Sequence, residues 1–280
     1  MSAAERALSD FIGRHRRLFV LTGAGCSTGS GIVDYRDVFG AWKRRQPVTL
    51  QAFVGDAAVR ARYWGRSLVG WPQMAGARPN AAHRTLAAME DAGRILRLVT
   101  QNVDGLHQAA GSRAVTDLHG RLHAVRCLGC GELTQRQALQ RHLLARNPGW
   151  NRLLAEPAPD GDADLDGVDF SGFSVPECAT CGGLLKPDVV FFGENVPPPR
   201  VDAAVAALAR ADAMLVVGSS LMVWSGFRFV RAAANRGLPI AAVNLGRTRA
   251  DGFFAAKLVA HCEQALPALA ASLIDRSRAI

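Results

Sequence analysis

Four of the six cysteines form two closely spaced pairs that could bind a metal ion. Cys127 and Cys130 make one C-x-x-C unit, and Cys178 and Cys181 make a second, with 47 residues between the two units. Two such units can supply four thiolates to one tetrahedral Zn²⁺, and four thiolates leave no open position for catalysis. A redox role is the alternative for each pair, but both pairs lie outside the strand–helix units described below. The spacing therefore predicts one structural zinc ion per chain.

Glycine-rich segments near the N-terminus could bind phosphate. Gly23-Ala24-Gly25-Cys26-Ser27 follows an apolar run, and we expect it to begin a helix whose N–H groups face an anion. A tight turn without a ligand is the alternative, because Thr28 occupies the position of the third glycine in G-x-G-x-x-G. The segment that follows ends with Asp34, Tyr35 and Arg36, and its glycines suit a loop that closes over a cofactor.

Side chains that could contact sugar hydroxyls or move a proton follow two further apolar runs. Gln101, Asn102 and Asp104 offer amide and carboxylate groups that can hydrogen-bond ribose and a carboxamide. A turn built on Asn and Asp is the alternative. His119 could act as a base near neutral pH, with a structural histidine as the alternative. Three other histidines are interpreted as structural: His83, His107 and His123.

Two polar segments in the last third of the chain could bind the ribose and phosphate of an adenosine group. They are Gly218-Ser219-Ser220 and Asn244-Leu245-Gly246, and each follows an apolar run. Cys262 is the sixth cysteine, and a small buried hydrophobic residue is its default role.

Each polar cluster lies at the end of a short run that is apolar on both faces. The runs are Leu18–Thr22, Ile95–Thr100, Val115–Leu118, Met214–Val217 and Ile240–Val243. Helical patterns alternate with them, at Ala3–Arg14, Ala81–Asp91, Val201–Arg210, Phe227–Arg236 and Cys262–Asp275. This alternation predicts an α/β fold with a doubly wound, Rossmann-like parallel sheet. Ligands bind outside the carboxyl ends of such strands, so the clusters are expected to form one site.

Two segments interrupt the alternation. We interpret residues 39–92 as a helical insertion and residues 121–186 as a zinc-binding insertion, which together form a smaller domain. Residues 1–38, 93–120 and 187–280 then form the Rossmann-like domain. Five aspartates between Pro157 and Ser174 lack the spacing of an EF-hand, which predicts an exposed acidic loop.

The composition is that of an ordinary globular protein, with 49% hydrophobic and 20% charged residues. No run of 18 uncharged apolar residues occurs, and the start MSAAERALSD lacks the pattern of a secretory signal. We therefore expect a cytoplasmic protein that makes no membrane contact. The net charge of +9 suits an anionic ligand or nucleic acid without choosing between them.

Taken together, the motifs resemble those of the sirtuin family. Residues 23–36, GAGCSTGSGIVDYR, resemble the signature GAGxSxxSGIPDFR, and residues 100–107, TQNVDGLH, resemble TQNxDxLH. The remaining motifs follow in family order: His119-Gly120, the C-x-x-C pairs, KPDVVFFGE at 186–194, Gly218-Ser219-Ser220 and Asn244-Leu245-Gly246. RYWGR at 62–66, VGWP at 69–72 and APDG at 158–161 look most like class II sirtuins, which include a mitochondrial lysine deacylase and ADP-ribosyltransferase of animals.

The resemblance implies an NAD-consuming protein-lysine deacylase that releases nicotinamide, free lysine and O-acyl-ADP-ribose. It implies that His119 is the general base on the ribose hydroxyls, with Gln101 and Asn102 at the nicotinamide ribose and Asp104 at the nicotinamide amide. The other cofactor contacts it implies are Gly23, Ala24, Gly25, Ser27, Asp34, Tyr35, Arg36, Gly218, Ser219, Ser220, Asn244, Leu245, Gly246 and Cys262. An acyl-lysine peptide or protein would add as a strand near Val190, Phe191, Phe192, Gly193, Glu194 and Val223.

The sequence departs from the family pattern in three places. Val33 replaces a proline, Tyr35 replaces a phenylalanine, and Trp224-Ser225-Gly226 stands where many sirtuins carry a proline. Tyr63-x-x-Arg66 matches the spacing of sirtuins that accept acidic acyl groups, and an arginine fork suits a carboxylate. We hypothesise that Tyr63 and Arg66 line the acyl pocket, with a surface arginine on a helix as the alternative.

Two other functions remain as alternatives. A protein mono-ADP-ribosyltransferase would share the NAD site and nicotinamide release. A zinc-stapled nucleic-acid-binding module would explain the cysteines and the charge, but not the polar clusters at the strand ends. Nucleic acid is therefore the least favoured partner, and the sequence does not predict an oligomeric state.

Overall fold

The computed structural model describes residues 1–43 and 47–278. The parts of the predicted segments 39–92 and 187–280 that fall on residues 44–46 and 279–280 lie outside the described residues. Among the described residues, no helix is long and apolar enough to cross a membrane.

The α-helices and β-strands alternate over most of the chain. The helices are α1 Ala3–Arg14, α2 Leu50–Gly55, α3 Ala57–Gly76, α4 Ala81–Asp91, α5 Leu106–Ala109, α6 Arg136–Arg146, α7 Pro198–Arg210, α8 Trp224–Asn235 and α9 Cys262–Arg278. The strands are β1 Leu18–Thr22, β2 Ile95–Thr100, β3 Val115–Asp117, β4 Gly120–Cys127, β5 Leu133–Gln135, β6 Glu156–Ala158, β7 Asp162–Asp164, β8 Leu185–Val189, β9 Ala213–Val217, β10 Ile240–Val243 and β11 Ala256–Leu258.

Helix α1 begins at a capping box and buries one apolar face, and both features are visible in the sequence. Ser2 and Glu5 form a capping box in which each side chain accepts from the other residue's backbone N–H. Leu8, Phe11 and Ile12 lie on one face and are buried against the main sheet. The cap sets where the helix begins, and the apolar face sets how it packs.

Six parallel strands form the main sheet, in the order β11-β10-β9-β1-β2-β3. Every residue of β1, β9 and β10 is buried, because helices pack on both faces of the sheet. The strand order reverses at β1, which lies between β9 and β2, and a crevice opens outside the carboxyl ends at such a point. The predicted Rossmann-like α/β fold is confirmed.

A second hydrophobic core lies beside the main sheet. It is built by α3, α6 and the antiparallel sheet β5-β4-β8, and it contains Trp64, Trp71 and Phe191. The Arg136 guanidinium is buried over both indole rings, 5.5 Å from the ring centroid of Trp64 and 4.9 Å from that of Trp71, and it donates to Ser67. The division into domains at 38/39, 92/93, 120/121 and 186/187 stays a prediction.

The glycine segment after β1 does not begin an α-helix as expected. It forms two short 3₁₀ turns instead, Ala24–Cys26 and Thr28–Ser30. The second turn ends at Gly31, whose φ of 82° lies in the left-handed region and stops helix propagation. The strand predicted from Val115 is present as β3, whereas β11 at the edge of the sheet was not predicted.

Candidate active site

A cavity of about 860 Å³ lies along the carboxyl ends of β1, β2, β9 and β10 and reaches the second core. Its volume is that of a site for a cofactor-sized ligand. Its walls contain nearly all of the predicted site residues: Gly23, Ala24, Gly25, Asp34, Tyr35, Arg36, Tyr63, Arg66, Gln101, Asn102, His119, Val190, Phe191, Phe192, Gly193, Glu194, Gly218, Ser219, Ser220, Val223, Asn244, Leu245, Gly246 and Cys262. Two others, Ser27 and Asp104, lie behind the wall.

The loops after β1 and β9 touch through their backbones. The Gly25 N–H donates to the Gly218 carbonyl at 2.9 Å. A Cβ on Gly218 would lie 2.3 Å from the Cys26 nitrogen, and its φ of 61° also favours glycine. A Cβ on Gly23 would lie 2.8 Å from Cβ of Ser219. The glycines are required by this close approach, and they leave bare backbone at the cavity wall that could admit an anionic group.

Asn102 connects this loop to the end of β2. Its Nδ2 donates to the Gly23 carbonyl and to Ser27 Oγ, both at 3.0 Å. The Ser27 hydroxyl in turn donates to Asp104 Oδ2 at 2.7 Å. Gln101 donates from Nε2 to Ser219 Oγ at 2.8 Å. Ser27 and Asp104 thus hold Asn102 from behind, and their direct contact with a ligand stays a prediction.

His119, which follows β3, is held by hydrogen bonds at both ring nitrogens. Nδ1 lies 2.8 Å from the Gln101 carbonyl oxygen, which can only accept, so Nδ1 carries the proton. Nε2 lies 2.8 Å from Ser225 Oγ and accepts from that hydroxyl. Burial lowers the pKa of His119 to about 4, the Gln101 carbonyl opposes this shift, and Arg200 and Arg228 reinforce it. The ring is therefore neutral near pH 7, with its lone pair on Nε2.

The loop from Asp34 to Lys43 folds over the cavity and is held by its own side chains. The Arg36 guanidinium stacks 3.8 Å above the Trp42 ring centroid and donates from Nη1 to the Gly40 carbonyl at 2.7 Å. Lys43 pairs with Asp34. These contacts place the loop across the same cavity that the glycine turn lines.

The loop after β10 meets the other side of this segment. The Arg247 N–H donates to the Val38 carbonyl at 2.8 Å. A Cβ on Gly246 would lie 2.5 Å from that carbonyl oxygen, so this position also requires glycine. Cys262 is buried, with its Sγ 3.6 Å from the Val243 carbonyl. These residues close the end of the cavity that the sequence assigns to adenosine.

The opposite end of the cavity is aromatic. Phe191 and Tyr63 have ring centroids 5.2 Å apart, and both contact Phe53. Glu194 anchors this segment by accepting from the Phe191 N–H at 2.8 Å and from Lys186 Nζ at 3.0 Å. This end of the wall is thus aromatic, and Glu194 holds its segment in place.

The expectation of an exposed acidic loop is only partly correct. Asp166 and Asp169 are exposed, but Asp160 and Asp162 are half-buried and line the cavity. The reason is that β7 packs on α3, where Arg66 donates to Asp162 at 2.9 Å. Tyr35 donates its hydroxyl to Asp160, and burial raises the pKa of Asp160 to about 6 although this hydrogen bond opposes the rise.

The cavity wall also contains polar residues that were not predicted as site residues from the sequence, among them Ser225, Arg228 and Asp160. Ser225 and Arg228 belong to the first turns of α8, directly after the Gly-Ser-Ser segment that ends β9. Their position after a strand end was an available signal for Ser225. Asp160 carried no such signal, because only the packing of β7 brings it to the cavity.

The four paired cysteines converge outside the cavity. Cys127 Sγ lies 3.4 Å from Cys181 Sγ, Cys130 Sγ lies 3.8 Å from Cys178 Sγ, and all four sulfur atoms lie within 4.8 Å of one another. Thiolates about 2.3 Å from a tetrahedral zinc ion are about 3.8 Å apart, so the donor set fits zinc. A Cβ on Gly183 would lie 2.9 Å from Cys127 Sγ, which shows how closely the backbone surrounds the sulfurs.

The fold and the cavity define a Rossmann-like protein with a dinucleotide-sized site and an inserted four-cysteine centre. The sequence pattern described as the Sir2 family matches residues 23–225. The chain belongs to this family, whose members are the sirtuins.

Curated relatives match the chain over nearly its whole length. A protein of Xanthomonas campestris pv. campestris named NAD-dependent protein deacetylase is 64% identical over 260 residues, which are 93% of this chain and 89% of that protein. A protein of Bradyrhizobium diazoefficiens named NAD-dependent protein deacetylase 2 is 62% identical, over 94% of this chain and 96% of that protein.

Solved structures share the fold. One described as "Sir2-p53 peptide-NAD+" has a TM-score of 0.78 and 29% identity, and the match covers 97% of this chain and 98% of that one. One described as a Sir2 homolog–NAD complex has a TM-score of 0.74 and 31% identity, over 97% of this chain and 94% of that one.

Proposed function

We propose that this protein is an NAD-dependent protein deacetylase that acts on acetyl-lysine side chains. The observation that carries the proposal is His119, which lines a dinucleotide-sized cavity with a neutral ring and a lone pair on Nε2. The names of the curated relatives support the activity, and the solved structures with NAD and with acetylated peptide support the two substrates. Nicotinamide release that requires both NAD⁺ and an acetyl-lysine peptide tests the proposal directly.

NAD⁺ would supply a glycosidic bond whose cleavage releases nicotinamide and exposes a ribose carbon to the acyl oxygen. The bare backbone at Gly23, Gly25 and Gly218 would admit the diphosphate. Gln101 and Asn102 would orient the nicotinamide ribose, because both amides are already fixed by hydrogen bonds to neighbouring loops.

The proposed step at His119 is removal of a proton from a ribose hydroxyl by Nε2. The Gln101 carbonyl fixes the Nδ1–H tautomer and would stabilise the imidazolium that forms, since that carbonyl favours the protonated ring. The loop from Asp34 to Lys43 would exclude water, which would otherwise hydrolyse NAD⁺.

Ser225 is expected to lower the pKa of His119. Its hydroxyl donates to Nε2 and so favours the neutral ring, and removal of this donor should raise the His119 pKa. For Ser225→Ala, we predict that the acid limb of kcat/KM moves to higher pH, because the base is protonated more readily. The pH dependence of kcat/KM measures this shift, and Ser225→Thr, which keeps a hydroxyl, should restore the wild-type profile. An unchanged limb in Ser225→Ala would show that the contact does not act on the base.

We also propose that Tyr63 and Arg66 form the acyl end of the pocket. Arg66 Nε donates to Asp162 at 2.9 Å, and its Nη1 lies 3.9 Å from Asp166 Oδ1. Asp162 would therefore compete with an acidic acyl group for the guanidinium, whose Nη groups keep N–H donors.

Substitutions on both sides of the Arg66–Asp162 pair test the acyl pocket. Arg66→Met should lower deglutarylation by about tenfold or more and deacetylation much less, because the charge-assisted hydrogen bond to the acyl carboxylate is lost. Asp162→Asn should raise deglutarylation, since it frees the guanidinium. Rates on glutaryl and acetyl peptides measure both effects.

The matched control is Arg141→Met, which removes an exposed arginine of α6 that does not line the cavity. The pocket role is wrong if Arg66→Met slows both reactions equally, slows neither, or behaves like the control.

The class II assignment and the cellular compartment are further proposals. RYWGR at 62–66 and APDG at 158–161 support class II, and both segments line the cavity in part. A reducing compartment such as the cytoplasm is supported by the four-cysteine cluster, which needs free thiolates to bind zinc. An acyl-lysine protein is the proposed partner.

A further inference from the structure

A buried cluster behind the glycine loop contains three side chains that can ligate a metal ion. Cys26 ends the first 3₁₀ turn, His83 lies in the first turn of α4, and His107 lies in α5. One ligand atom of each lies within 4.8 Å of the other two, and each residue is at most 1% exposed. None of the three belongs to the four-cysteine cluster.

His107 has a buried ring nitrogen that lacks a partner among the described residues. Its Nε2 lies 2.9 Å from Thr22 Oγ1, whose hydroxyl donates to Thr100 Oγ1 at 2.9 Å. Nε2–H must then be the donor, which leaves the lone pair on Nδ1. This Nδ1 is buried without a hydrogen bond. A buried polar atom without a partner is rare in native proteins and calls for a bound ion or water.

His83 offers a second ring nitrogen to the same cluster. On the far side of the ring, His83 Nδ1 lies 3.3 Å from the backbone nitrogen of Asn80 and 3.0 Å from Asn80 Oδ1, so Nε2 can ligate in the tautomer whose Nδ1–H donates to Oδ1. The Asn80 amide is itself fixed because Nδ2 donates to the Cys26 carbonyl at 2.8 Å. The other nitrogen, Nε2, has only a long contact of 3.4 Å to Ser27 Oγ. Ligation of an ion would replace this weak contact.

The size and chemistry of the cluster suit a borderline divalent ion. A triangle with edges of 4.8 Å has its corners about 2.8 Å from its centre. Zinc bonds are about 2.0–2.3 Å long, so each side chain would move inward by at most about 0.8 Å. One thiolate and two imidazoles are a donor set for zinc and similar transition metals, and not for Ca²⁺ or Mg²⁺.

We propose that Cys26, His83 and His107 form a second transition-metal site, separate from the four-cysteine cluster, which binds Zn²⁺ or a chemically similar ion. An ion at this position would tie the turn after β1 to α4 and α5. It would thus brace the glycine loop from the side opposite the cavity.

Zinc content of the full chain tests the proposal. After incubation with excess Zn²⁺ and gel filtration, elemental mass spectrometry should give two zinc ions per wild-type chain and one per Cys26→Ala chain. Cys262→Ala is the matched control, because it removes a buried cysteine outside the cluster and should keep two. One zinc ion per wild-type chain, or two per Cys26→Ala chain, overturns the proposal.

Cobalt spectroscopy of the wild-type protein keeps the test decisive if Cys26→Ala folds poorly. Addition of Co²⁺ to protein that holds one zinc ion should give a thiolate-to-cobalt charge-transfer band that saturates at one equivalent, with the zinc retained. A chain that shows no such band, or one in which the band appears only as zinc is released, contradicts the second site.

Discussion

Replacement of His119 by alanine or tyrosine should lower nicotinamide-releasing deacetylation by about 10²–10⁴-fold, the usual contribution of a general base. The physical reason is that Nε2 of His119 carries the lone pair at the cavity, while Gln101 holds the tautomer that presents it. Steady-state kcat/KM with an acetyl-lysine peptide measures the loss. NAD⁺ affinity, measured by calorimetry, should change by only a few-fold, because the glycine loop and Asn102 remain in place.

The control for this substitution is His142→Ala, which removes an exposed histidine on α6. It should leave kcat/KM and Tm unchanged. If His119→Ala folds normally and keeps wild-type turnover, His119 is not the base, and another group must accept the proton.

The second large effect is expected at the four-cysteine cluster. Cys127→Ser should lose the structural zinc and lower Tm by about 10 °C or more, because zinc binding is coupled to folding. Cys127 ends β4, which pairs with β8, and β4 contributes Leu122 and Val125 to the second core. Loss of the metal should therefore loosen that core, including α3 and the aromatic end of the cavity.

Elemental analysis and thermal unfolding measure this prediction together, with Cys262→Ala as the control that should keep the structural zinc. A Cys127→Ser protein that is free of this zinc, folded and as stable as the wild type would refute a structural role for the cluster. Full activity in such a protein would also show that the active cavity does not depend on the zinc ion.

The main sheet was predictable because its strands are apolar on both faces and end at polar residues. Leu18–Thr22 and Ile240–Val243 are fully buried, as their composition indicates. Parallel strands place their carboxyl ends at one edge of the sheet, so the sequence predicts that Gln101, His119 and Ser219 belong to one site, and all three line the cavity. The spacing of the two C-x-x-C units likewise predicts that their four cysteines form one metal site.

The parts that escaped prediction depend on contacts between segments distant in sequence. The turn at Ala24–Cys26 meets the loop after β9, with the Gly25 N–H donating to the Gly218 carbonyl, and local propensity does not encode this contact. The sequence predicts that Asp160 and Asp162 are solvent-exposed, because acidic residues usually are. Their partners, Tyr35 and Arg66, lie 125 and 96 residues away in sequence and hold them at the cavity wall.

The central claim is that the cavity couples cleavage of NAD⁺ to removal of an acetyl group from lysine. Mass spectrometry of the products from an acetyl-lysine peptide and NAD⁺ tests it most directly. We expect free lysine peptide, nicotinamide and O-acetyl-ADP-ribose in equal amounts, with no deacetylation when NAD⁺ is absent. Free acetate formed without NAD⁺ would contradict this coupling, and ADP-ribosylated protein in place of O-acetyl-ADP-ribose would establish the transferase alternative instead.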